Sequence, residues 1–144
     1  EKQGKARDKR RIKILDAISE ATDMEIPDIL VDSEKHQMIE EFKSNIQNMG
    51  LKWEDYLQHI KKTEKDLEKD WQDQALKRVR NGLVLQEIAN KENIEVSEAE
   101  IEKTVAQMLS SYDQESRKQV DIPALKNYAY GIIRNEKVFK LLET

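Results

Sequence analysis

Apolar residues recur every three or four positions along most of the chain, and no periodic stretch follows the two-residue repeat of a strand. The first pattern is typical of an amphipathic helix with one face against a core. Glycine and proline, which a sheet protein needs at its hairpins, number only 4 and 2 among 144 residues. The sequence therefore predicts an all-α fold and excludes an all-β one.

The periodic stretches predict about five or six helices. Thr63 with Asp66, and Ser97 with Glu100, have the spacing of capping boxes, which places helix starts at both sites. Gly82 lies inside the longest stretch, where it marks either a close helix crossing or a bend. The polar segment 113–121 carries no periodicity and is expected to be a connector. The predicted helices cover residues 2–21, 27–50, 53–62, 63–91, 97–112 and 123–142.

Charged residues make up 38% of the chain, with both signs mixed and a net charge of −4. This composition is typical of long, solvated helices. The longest aliphatic run is Leu83-Val84-Leu85, far short of the ~20 residues of a membrane span, so we expect no contact with the bilayer. The absence of cysteine excludes disulfides and thiolate catalysis. Because the chain begins with Glu1 rather than Met, we expect that its natural N-terminus is missing.

No arrangement of residues indicates catalysis, a metal or a cofactor. His36 and His59 belong to no H-E-x-x-H or E-x-x-H motif, and both are expected at the surface. A glycine-rich phosphate loop, a nucleophile elbow and a calcium loop are also absent from the sequence. The sequence therefore predicts a protein that is not an enzyme.

The first thirteen residues are strongly basic. This cluster indicates either a nucleic-acid contact or the exposed end of a helix. Because no aromatic residue lies between the cations to stack on bases, we favour the exposed helix end and expect no nucleic-acid partner. The cations are Lys2, Lys5, Arg7, Lys9, Arg10, Arg11 and Lys13.

Three stretches together resemble the C-terminal domain of the trigger factor family, the ribosome-associated chaperones of bacteria. Glu25 to Glu34, EIPDILVDSE, resembles the family's I-P-x-x-L-V-x-x-E helix start. Tyr56 to Trp71 and Gln74 to Lys103 are similar to its long helix and to the I-A-x-x-E-x-I-x-V-S-x-x-E-I junction after it. Ile132 to Leu142, IIRNEKVFKLL, resembles the closing helix. The order and spacing of these stretches make the resemblance specific.

The resemblance implies that residues 1–144 are one C-terminal chaperone domain, an elongated helical body with arm-like helix hairpins. It implies a cytoplasmic protein that binds unfolded or nascent polypeptides in an apolar cradle, without ATP or another cofactor. The family's ribosome-docking and prolyl-isomerase domains have no counterpart in the sequence, so contact with the ribosome would require a domain missing here. The oligomeric state is not predicted.

An apolar hairpin is the predicted client-binding surface under this resemblance. Apolar stripes on helices are normally core, so each of its residues is also a core candidate. Two other functions stay open, a helical scaffold or dimerisation module and a nucleic-acid binder that uses the basic N-terminus. The helical core of the periplasmic parvulin-type chaperones is similar in architecture to the trigger factor body, so this family is a further alternative. The predicted client-binding residues are Met38, Phe42, Ile46, Met49, Trp53 and Tyr56.

Overall fold

A computed structural model describes residues Lys2 to Thr144, which form eight α-helices and no strand. The prediction of an all-α fold is confirmed for these residues, whereas the expected number of five or six helices is wrong. No helix of this part of the chain is both long and apolar enough to span a membrane. The helices are α1 (Lys2–Ala21), α2 (Asp28–Asn48), α3 (Trp53–Ile60), α4 (Glu64–Asp70), α5 (Gln72–Lys91), α6 (Glu98–Ser110), α7 (Gln114–Lys118) and α8 (Ile122–Leu142).

The two additional helices have local causes. Trp71, with ψ near 6°, separates α4 from α5 within the predicted stretch 63–91. Its N–H donates to Leu67 and its carbonyl accepts from Ala75, so helical hydrogen bonds continue across the interruption. α7 starts where Asp113 accepts a hydrogen bond of 2.7 Å from the N–H of Ser116. A polar helix of five residues has no apolar stripe, which is why periodicity did not predict it.

Both predicted capping boxes are confirmed. The Ser97 hydroxyl accepts from the N–H of Glu100 at 3.2 Å, and the Glu100 carboxylate accepts from the N–H of Ser97 at 2.8 Å. Thr63 and Asp66 exchange the corresponding bonds at 3.3 and 2.9 Å. The hydrogen bonds from the backbone favour the ionised carboxylates and lower the pKa of Asp66 and of Glu100. These boxes satisfy N–H groups that a helix start otherwise leaves unpaired.

Gly82 lies inside α5, which continues unbroken to Lys91. A Cβ atom built on this glycine would have no other atom within 4 Å, apart from its chain neighbours and its own helix backbone. Of the two alternatives for Gly82, the close helix crossing is therefore wrong, and the break within the predicted stretch 63–91 lies at Trp71.

The chain divides into two compact units, a central unit of Leu15–Val84 and a terminal unit of Leu85–Thr144 together with the described residues up to Ile14. Each unit has its own buried apolar side chains. The central unit holds two clusters, one of Ile39, Ile46, Trp53 and Leu67 and another of Val31, Met38 and Ala75. The terminal unit holds a cluster of Ile101, Val105 and Ala129, formed by α6 and α8.

A buried cation joins α1 to α8 in the terminal unit. Arg11 is only 7% exposed, and its guanidinium donates to Glu136 at 2.7 Å and to Glu143 at 2.6 Å. It also lies 4.9 Å from the ring centroid of Phe139. Hydrogen bonds from Arg11 hold the pKa of both carboxyls below their usual range. One member of the predicted basic cluster is thus a core residue rather than part of an exposed helix end.

Polar side chains connect α1 to α5 in the central unit. The buried Ser19 hydroxyl donates to the amide oxygen of Asn81 at 2.7 Å, and the Asn81 amide donates to Asp16 at 3.1 Å. Burial raises the pKa of Asp16, but the bond from Asn81 and the ion pair with Lys77 outweigh it and lower the pKa overall. Ser19, Asn81 and Asp16 therefore satisfy one another's polar groups across this helix contact.

Candidate functional site: the hairpin of α2 and α3

A glycine turn joins α2 to α3. Gly50 has φ of 80°, a left-handed conformation that other residues adopt only with strain. Its N–H donates to Gln47 at 2.9 Å, and the N–H of Leu51 donates to Ile46 at 3.2 Å. These bonds satisfy the last carbonyls of α2 in the manner of a Schellman motif. The helix thus ends at Asn48, within two residues of its predicted end at residue 50.

An aromatic cluster supports this turn. The Phe42 ring lies edge-on to Trp53, Tyr56 and Trp71, with ring centroids 5.9, 5.4 and 5.4 Å away. Trp53 and Tyr56 stack on each other with an angle of 17° between their planes. The indole N–H of Trp53 donates to Glu64 at 2.6 Å, so its one polar group is satisfied. The hairpin is therefore anchored by well-packed rings rather than by loose side chains.

The six predicted client-binding residues occupy different environments. Trp53, with 3% of its surface exposed, and Ile46 are buried in one core cluster, against which Phe42 and Tyr56 pack with part of their surface exposed. Met38 is buried in the other cluster of the central unit, with Val31 and Ala75. Met49 differs from all of these, because 72% of its surface is exposed. Of the six side chains, Met49 offers the most surface to a client in this conformation.

Leu51, which the sequence did not single out, is 49% exposed on the other side of Gly50. With Asp55, Tyr56 and His59 it lines a surface pocket of about 300 Å³. The predicted surface positions of His36 and His59 are confirmed. The exposure of Met49 and Leu51 could have been predicted from their positions on either side of a glycine turn, where neither helix can cover them. The exposed pair Met49 and Leu51 is called the apolar tip below.

A second exposed apolar group lies on α8 in the terminal unit. Tyr128 and Ile132 are one helical turn apart and both are exposed, whereas Ala129 beside them is fully buried. Within residues 2–144, no three side chains of the metal-binding types come together in a way that could hold a metal ion. Tyr128 and Ile132 therefore form a second exposed apolar surface besides the apolar tip.

The sequence profile of a family described as the C-terminus of bacterial trigger factor protein matches residues 1–143. The chain belongs to the trigger factor family. A trigger factor from Caldicellulosiruptor saccharolyticus is 32% identical over 140 residues, which cover 93% of this chain and 31% of that protein. One from Alkaliphilus oremlandii is 33% identical over 147 residues, covering 98% of this chain and 34% of that protein.

A trigger factor from Lachnoclostridium phytofermentans is 39% identical over 102 residues, covering 71% of this chain and 24% of that protein. This chain thus spans about a third or less of the length of the curated trigger factors it matches. No solved structure matches it. The family assignment covers all three stretches that carried the resemblance, and it identifies the chain with the C-terminal part of trigger factor rather than with the isomerase part.

Proposed function

We propose that this chain is an ATP-independent chaperone domain of the trigger factor type, which binds unfolded or nascent polypeptides and keeps them from aggregating in the bacterial cytoplasm. The observation that carries the proposal is the apolar tip, two exposed side chains held above a rigid aromatic cluster in a member of the trigger factor family. Contact with the ribosome would depend on a domain other than this one.

The exposed area at the apolar tip sets the strength of binding. Covering apolar surface contributes about 25 cal/mol per Å², so two side chains offer only a modest gain. A flexible client loses conformational entropy when it is held, which offsets part of this gain. Binding is therefore weak and reversible, and release needs no nucleotide. Brief shielding still lowers the concentration of species that aggregate.

The test is the double variant Met49→Ser/Leu51→Ser, assayed by light scattering as a chemically unfolded client is diluted without nucleotide. We expect the variant to protect less than the unchanged chain. Its melting temperature should shift little, because the lost side chains are mostly exposed. Ile12→Ser/Leu141→Ser removes two other exposed apolar side chains and serves as the matched control.

Trp53 is unsuitable for this test. It is buried and bonded to Glu64, so Trp53→Ser would remove about 3–5 kcal/mol of stability and unfolding would mimic a loss of binding. A paired Met49→Ser/Trp53→Ser variant would therefore not separate a loss of binding from a loss of stability.

The proposal has two ways to fail. If the unchanged chain does not slow aggregation, the chaperone function is wrong. If the folded tip variant protects fully, clients bind elsewhere, and Tyr128→Ser/Ile132→Ser becomes the next variant to test.

Exposure of Tyr128 and Ile132 on α8 favours a second candidate function, a dimerisation or scaffold module. This function predicts a complex of fixed stoichiometry in sedimentation, which Tyr128→Ser/Ile132→Ser dissociates. It also predicts that the chain protects no client.

A further inference from the structure

One asparagine of the chain precedes a glycine. Asn81 and Gly82 form this pair in the interior of α5, and every other asparagine is followed by a larger residue. The backbone nitrogen of the following residue can attack the Cγ atom of an asparagine, and glycine hinders this attack least because it has no Cβ atom. Nothing packed around residue 82 requires a glycine there. The sequence thus places its most reactive asparagine in the middle of a helix.

The folded chain holds the Asn81 amide at both of its polar atoms. The buried Ser19 hydroxyl donates to Oδ1 of Asn81 at 2.7 Å, and Nδ2 donates to Asp16 at 3.1 Å. All of these residues belong to the central unit. The Gly82 nitrogen is part of the helical backbone of α5, which cannot accommodate the five-membered ring that the attack would form. The native helix therefore keeps the attacking nitrogen away from Cγ.

We propose that Asn81 is a deamidation site that the folded central unit protects and that unfolding exposes. In the unfolded chain the Gly82 nitrogen loses its proton to hydroxide and bonds to Cγ of Asn81, the Cγ–Nδ2 bond breaks, and Nδ2 leaves as ammonia after taking a proton from water. A second water then opens the cyclic imide. Cleavage of its Cγ–N bond gives aspartate, and cleavage of its backbone C–N bond gives isoaspartate. The net reaction consumes one water and releases one ammonia, without an oxidant or reductant.

The product does not fit the contact from which it arises. Conversion replaces the amide that donates to Asp16 by a second carboxylate, and Asp16 is ionised at pH 7 because its pKa lies below its ordinary value. Lys77 already pairs with the other oxygen of Asp16 at 3.1 Å, so one cation would face two carboxylates. Like charges this close repel each other. Isoaspartate also lengthens the backbone by one methylene group and interrupts α5. Deamidation would therefore make unfolding of this unit difficult to reverse.

The experiment follows deamidation by peptide mass spectrometry in the full chain at pH 8, in native buffer and in urea above its unfolding midpoint. In urea we expect Asn81 to convert faster than any other asparagine, and at least about tenfold faster than in native buffer, because only the opened helix reacts. Gly82→Ala should convert much more slowly in urea, because its Cβ hinders the attack.

Ser19→Ala tests the protecting hydrogen bond. It should raise the rate in native buffer by about threefold to tenfold, the factor that corresponds to one hydrogen bond, and leave the rate in urea unchanged. Ser33→Ala, at an exposed position of α2, is the matched control and should change neither rate.

The consequence for the fold is measured with Asn81→Asp, which has the side chain of the aspartate product. Its melting temperature should fall by about 5 °C, because a hydrogen bond is replaced by a repulsion. Asn127→Asp adds the same charge at an exposed position of α8 and should shift it by less than about 2 °C.

Equal rates at Asn81 in native buffer and in urea would overturn the protection that we propose. An Asn81→Asp variant as stable as the unchanged chain would overturn the consequence, since Lys77 would then accommodate both carboxylates. If Asn81→Asp fails to fold while Asn127→Asp folds, the consequence is supported.

Discussion

Arg11 is a buried cation held between two carboxylates of α8. The Arg11 side chain is 9% exposed, whereas those of Glu136 and Glu143 are 38% and 22% exposed. Removal of a fully buried partner costs about 3–5 kcal/mol, and exposed pairs contribute about 1 kcal/mol or less. Because the carboxylates reach solvent, this cluster lies between those limits.

We expect Arg11→Met to lower the free energy of unfolding by about 2 kcal/mol at pH 7, because two carboxylates lose their cation. Lys9→Met, at an exposed position of the same helix, should be nearly neutral. Urea unfolding followed by circular dichroism measures both. Equal effects of the two variants would show that the buried pairs contribute nothing.

The same cluster predicts a pH dependence. The folded state holds the pKa of Glu136 and Glu143 below their ordinary value of 4.5. Their contribution is therefore complete above pH 4.5 and is lost as the pH falls through the lowered values. Lowering the pH from 7 to 3 should therefore decrease the free energy of unfolding of the unchanged chain by more than it decreases that of Arg11→Met. Parallel losses in the two proteins would contradict this assignment.

Within the helices and their turns, Gly50 has a backbone conformation that requires glycine, whereas Gly82 does not. Gly82, in the interior of α5, has open space around its missing Cβ, so Gly82→Ala should stabilise the chain by about 0.5–1 kcal/mol. Gly50→Ala should destabilise it by about 1 kcal/mol, because its φ of 80° is left-handed. Melting temperatures measure both changes. A destabilising Gly82→Ala would indicate that α5 requires flexibility at this position.

At the scale of the whole molecule, we expect no catalysis of prolyl isomerisation. The chain matches the C-terminal part of trigger factor, which is not the prolyl-isomerase part. The cis-to-trans rate of a proline-containing peptide should therefore be the same with the native chain and with heat-inactivated chain. A concentration-dependent acceleration by the native chain alone would show that these residues do carry catalysis.

The all-α fold, the two capping boxes and the family membership were predictable from the sequence. They depend on residues three or four positions apart, as for Ser97 and Glu100, or on the order of short motifs.

Burial was not predictable in this way. Met49 and Trp53 lie on the same apolar pattern, yet one is exposed beside a turn and the other is enclosed by rings. Arg11 and Glu136 are 125 positions apart, and only the folding of α8 against α1 brings them within 2.7 Å. Which apolar and charged residues remain at the surface for a client was decided by the tertiary structure, because exposure depends on neighbours that are distant in the sequence.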